Sequence, residues 1–137
     1  MKLNCDCVRS VMTYLERQPI YILNETSDVV REEIDLDEIC SALPDYQKND
    51  IFYTIILLDE AGFLDVSTLW ADGQVYECHV NDITYKGHEF LAKIKDDTVW
   101  KKTLSLAETV GNFSLKMIAE IAQGVATAHF KQLLGIN

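Results

Sequence analysis

Ala71-Asp72-Gly73-Gln74 lies between two β-prone runs, and no other feature of the 137-residue chain restricts its fold as strongly. An Asp-Gly pair between extended apolar runs suits the positive-φ positions of a tight hairpin turn. Phe63, Leu64, Val66, Leu69 and Trp70 form the run before the turn, and Val75 to Tyr85 the run that returns. Elsewhere apolar residues recur at three- and four-residue steps, the period of helices. The pattern predicts an α+β, mainly helical protein with one hairpin inserted between helices.

Cys5 to Gln18 reads as the first helix, carrying Val8, Val11, Met12 and Leu15 on one face and stopped by Pro19. Ile20 to Leu23 is short enough for an edge strand, and the polar stretch Asn24 to Glu33 reads as a loop. Asp35, with Glu38 three positions on, is placed to cap a short helix through Leu36, Ile39 and Leu43 that Pro44 ends. The next helix runs from about Gln47 to Ala61 and closes at Gly62. Two helices joined by Pro44-Asp45-Tyr46 make a helix-turn-helix, and with Asp72-Gly73 as a wing tip the order is that of a winged helix. Thr84 is placed to cap a helix bearing Phe90, Leu91 and Ile94, with Asp96 or Asp97 capping another that holds Val99, Trp100 and Leu104. Gly111 and Asn112 end that helix, and Ser114 caps the last, with Leu115, Ile118, Ile121, Ala122, Val125 and Phe130 in period. Trp100, with Phe90 and Leu104, is expected to anchor against the hairpin. The division expected is a winged-helix domain over residues 1–95 and a C-terminal helical extension over 96–137 that packs on it or mediates oligomerisation.

Charge is uneven along the chain. Residues 1–85 carry five basic against seventeen acidic side chains, net −12, whereas residues 86–137 are net +2. The N-terminal Met-Lys-Leu-Asn-Cys-Asp puts charges where a signal peptide has a continuous apolar stretch, and no uncharged apolar run nears the ~18 residues of a membrane span. A cytoplasmic protein without membrane association is expected, and Cys5, Cys7, Cys40 and Cys78 read as reduced thiols.

Side chains that suggest chemistry have structural readings. Cys5-x-Cys7 is spaced too tightly for a zinc knuckle, and adjacent Cys78 and His79 on a strand point to opposite faces. His88 falls in the first turn of its helix, and His129 near the end of the last, where the dipole favours a cation. Adjacent Asp96 and Asp97 do not face each other on a helix and suit a cap. The six glycines are dispersed rather than gathered into a phosphate loop. The expectation is a protein without catalytic residues, metal, cofactor or small-molecule substrate.

Gly87-His88-Glu89-Phe90-Leu91 continuing to Asp96-Asp97-Thr98-Val99-Trp100, together with Leu57-Leu58-Asp59-Glu60-Ala61-Gly62-Phe63-Leu64, resembles a family of short hypothetical proteins of bacteria and their phages or prophages. The likeness covers most of the chain, with the GHEFL and DDTVW runs its more specific part. It implies a winged-helix-like fold and a genomic setting, and it carries no activity onto any residue.

In a helix-turn-helix the second helix reads base edges and needs basic and polar side chains around it. Here that helix has one basic residue, Lys48, and Lys48, Asn49, Tyr53 and Leu57 are the candidate DNA or partner contacts. Ile56 and Leu57 fall outside the narrow stripe through Ile51, Ile55 and Leu58, so the helix calls for protein on more than one face. A protein-interaction module, self-associating or binding another protein, is therefore expected ahead of a DNA-binding regulator.

Overall fold

Asn4 begins the first helix: its Oδ1 accepts the Cys7 backbone N–H at 3.1 Å, and α1 (Cys5–Glu16) buries Cys7, Val8, Val11, Met12 and Leu15. The computed structural model describes residues 1–135, so the last two positions of the expected 96–137 extension lie outside the described residues. After Pro19 the chain forms a small antiparallel hairpin, β1 (Tyr21–Leu23) with β2 (Val29–Arg31), Ile22 opposite Val30. Residues 24–33 are thus more than a loop. Asn24 Oδ1 accepts the backbone N–H of Thr26 and of Asp28, and Ser27 takes a φ of 62°, which concentrates the turn in five polar residues and frees Val29 and Val30 to pair.

β3 (Ile34–Asp35) leads into α2 (Leu36–Ala42), and α3 (Lys48–Glu60) follows. Asp35 stands at the N-cap of α2, but its carboxylate makes no capping hydrogen bond, so the expected cap is one of position only. β4 (Leu64–Ala71) and β5 (Gln74–Ile83) form the hairpin about Asp72 (φ 53°) and Gly73 (φ 74°), the two positive values its turn requires. β3 joins the other side of β5 to give an antiparallel sheet of order β3-β5-β4.

The register of β4 against β5 shifts twice. Asp65 pairs with Asp82 and Val66 with Val80, which leaves Asn81 as an extra residue, and Leu69 pairs with Glu77 and Trp70 with Val75, which leaves Tyr76 as another. Asn81 is buried and its Nδ2 donates to Ser67 Oγ at 2.9 Å, so the first shift places an amide in the interior with a partner.

The remaining helices are α4 (Tyr85–Ile94), α5 (Asp97–Val110) and α6 (Leu115–Leu133). Thr84 Oγ1 accepts Gly87 N–H at 3.0 Å, Asp96 Oδ1 accepts Val99 N–H at 2.9 Å, and Ser114 Oγ accepts Met117 N–H at 3.2 Å. Three of the caps the spacing predicts thus form, Asp96 rather than Asp97 capping α5, and Gly111 ends α5 at φ 75°. Thr84 also donates to the Gly62 carbonyl at 2.5 Å, tying α4 to the end of α3. One core runs from Val8, Val11 and Leu15 through Ile51, Ile55 and Leu58 to Val80, Leu91, Trp100 and Ile118, so the C-terminal helices share it with the sheet and the first helices. Trp100 is buried, with the Arg9 guanidinium carbon of α1 5.9 Å from its ring centroid. Phe90 stacks on Phe63 at the root of β4, centroids 4.6 Å apart.

Candidate functional site

α3 holds all four residues singled out in the sequence, Lys48, Asn49, Tyr53 and Leu57. The core side of α3 is Ile51, Thr54, Ile55 and Leu58, all buried. The remaining faces are covered too: from Asp50 to Asp59 every side chain is buried or half-buried. Leu57 is half-buried against the core, as is Phe52, which meets Trp70 of β4 edge-on at 5.9 Å between centroids. Tyr53 and Ile56 are half-buried, and only Lys48 and Asn49 at one end and Glu60 at the other are exposed.

Lys48 and Asn49 already have local partners. Lys48 Nζ lies 2.8 Å from Asp37 Oδ1, and this hydrogen bond holds the ammonium pKa above the usual lysine range. Asn49 Oδ1 accepts the Asp50 backbone N–H at 3.0 Å. A hollow of about 420 Å³ beside them is lined by the carboxylates of Glu33, Asp35, Asp37 and Glu77, with Lys48 and His79 opposing them. His79 Nε2 stands 3.2 Å from Glu33 Oε2. The flank of α3 therefore presents mostly negative charge.

The hairpin contributes apolar groups that the sequence reading left out. Leu69, Trp70 and Tyr76 are 51%, 59% and 71% exposed at the hairpin's far end, Leu69 and Trp70 on opposite faces of β4. The second register shift frees Tyr76 from a cross-strand partner, and the aromatic content of the two runs around Asp72-Gly73 was the available signal.

The thiols are sheltered. Burial pushes the pKa of Cys7 and Cys78 up, and half-burial does the same to Cys5 and Cys40, so each favours the neutral thiol. All four are free cysteines, and among the described residues no three or more His, Cys, Asp or Glu side chains are grouped to hold a metal ion. Among the described residues no helix is long and apolar enough to cross a membrane.

Residues 2–113 match the family described as Hypothetical protein (DUF2513), a span from the start of the chain to the turn after α5. The chain belongs to that family. The DUF2513 segment thus takes in α1 to α5 and both hairpins, and α6 follows it. An uncharacterised protein of Haemophilus influenzae is similar along its whole length, 29% identical over 141 residues that cover 98% of this chain and 99% of that protein. No solved structure matches the chain.

Proposed function

We propose that this DUF2513 protein is a non-enzymatic winged-helix module of the bacterial and prophage type that works by binding protein, its own copy included. The order α1-β3-α2-α3-β4-β5, with a three-stranded antiparallel sheet closing on α3, supports the winged-helix reading. A DNA reader would use α3 as its groove-entering helix and surround it with phosphate contacts.

The covered state of α3 carries the choice between partners. A helix whose side chains from Asp50 to Asp59 are all at least half-buried has little left to offer base edges, and its one cation is engaged by Asp37. The surface beside it instead offers Trp70 and Tyr76, residue types suited to a protein interface, next to an acidic hollow that repels phosphate. DNA binding is the alternative, supported by the order of elements alone, and analogy of fold is a weak guide to function.

Titrating the protein into duplex DNA from upstream of its own gene tests the reading. The expected result is no salt-sensitive shift at low ionic strength, with light scattering giving a mass above that of one chain. A shift that Lys48→Glu abolishes would replace it with the regulator reading.

A further inference from the structure

α5 and α6 form an antiparallel helical hairpin: His129, late in α6, lies 3.7 Å from Asp96, the cap of α5. Their outer side is an open groove of about 480 Å³. Gly124 and Ala128 line it on α6 together with Ile121 and Val125, and Leu106, 39% exposed, lines it from α5. Lys102 and Glu120 add one charge of each sign, and His129 adds an imidazole.

Gly124 has no explanation within one chain. It sits inside the nineteen-residue α6, where glycine weakens a helix, yet a Cβ there would meet nothing within 4 Å. Gly87 makes the contrast: a Cβ at that position would collide with the Phe63 carbonyl, so its glycine is required by the fold. An interior helical glycine that faces open space suits the close approach of another backbone.

We propose that a second copy of this chain seats its α6 antiparallel in the groove, crossing at Gly124, so that two α5–α6 hairpins close into a four-helix unit. This rests on the self-association reading above and names its surface. A two-fold axis beside Gly124 and Val125 sets Glu120 opposite the partner's His129 and Ile121 opposite the partner's Ala128, carboxylate to imidazole and large to small. Charge over the whole chain selects the same face. Among two-fold contacts, which set each region against its own counterpart, the C-terminal helices repel least: residues 1–85 are net −12, whereas residues 86–137 are net +2.

Cross-linking and sizing test it together. On mild oxidation Val125→Cys, beside the axis, is expected to give a covalent dimer, whereas Tyr76→Cys on the distant hairpin and the wild-type chain are not. Gly124→Leu is expected to keep the wild-type circular dichroism, since its side chain has room in the single chain, while weakening dimerisation at least about tenfold. If the wild type is dimeric but Val125→Cys fails to cross-link, or Gly124→Leu leaves the dimer intact, the α6 interface is wrong and self-association through another surface stands. A wild type that remains a single chain at every concentration overturns both.

Discussion

Arg9 Nη2 stands 2.6 Å from Asp97 Oδ1, an ion pair across 88 positions of sequence that fastens the first helix to the start of α5. The same guanidinium donates from Nε to the Ile94 carbonyl at 2.9 Å and from Nη2 to the Lys95 carbonyl at 2.8 Å, satisfying acceptors at the end of α4. One side chain of α1 thus holds the junction of two helices in place.

Arg9→Met is expected to cost about 1–2 kcal/mol in urea unfolding, since two backbone carbonyls lose a charged donor. Asp97→Asn should cost less, because the carboxylate is largely in water.

The Asp97 pair also predicts a pH dependence. Its hydrogen bond with Arg9, and then the Arg9 charge, hold the Asp97 pKa below the usual carboxylate range. A depressed carboxylate contributes stability above its unfolded value, about 4, and that contribution fades as pH falls through the lower folded value. The stability difference between wild type and Asp97→Asn should therefore be full at neutral pH and shrink in acid, as read from unfolding midpoints across that range. A difference that is constant with pH would assign Asp97 no electrostatic role.

Gly87→Ala is expected to cost more than about 2 kcal/mol, because the new methyl group meets the Phe63 carbonyl and, at 2.8 Å, Ile83 Cγ2. Gly62→Ala should cost only about 1 kcal/mol, the strain of φ 82° in a position with space around it. Thermal unfolding of the two variants side by side gives the order.

Thiol reactivity checks the cysteine environments. Cys7 and Cys78, both buried, should react with a disulfide reagent at neutral pH far more slowly than the same thiols in the urea-unfolded chain. Reaction should quicken as pH rises past the ordinary thiol value, because the raised folded values keep the thiolate scarce.

Local chemistry made much of this fold readable from the chain. Thr84, Asp96 and Ser114 cap because a short polar side chain before a helical run has one good acceptor geometry, and Asp72-Gly73 turns because few other pairs accept two positive φ angles. What depends on distant neighbours was hidden. Val29-Val30 lies in a charged stretch, and its pairing with β1 shows only once Asn24 gathers the turn. Arg9 reads as one more polar residue on α1 until the helix junction around Ile94, Lys95 and Asp97 comes to it. The same holds at the candidate site: the spacing marks Leu57 as outside the core stripe of α3, and tertiary contacts half-bury it, while Tyr76 loses its cross-strand partner at the second register shift, beside the exposed Trp70. Two lysines likewise meet residues far off in the sequence, Lys86 the Ala61 carbonyl at 3.2 Å and Lys95 Glu16 at 2.6 Å.

The central claim is that this chain works by meeting protein, a second copy first. Sedimentation equilibrium across a series of protein concentrations, at low and at high salt, measures this directly. A dimer is predicted that forms more readily at high salt, where screening relieves repulsion between the acidic N-terminal parts and apolar burial persists. A single-chain mass at every concentration and salt would contradict the account.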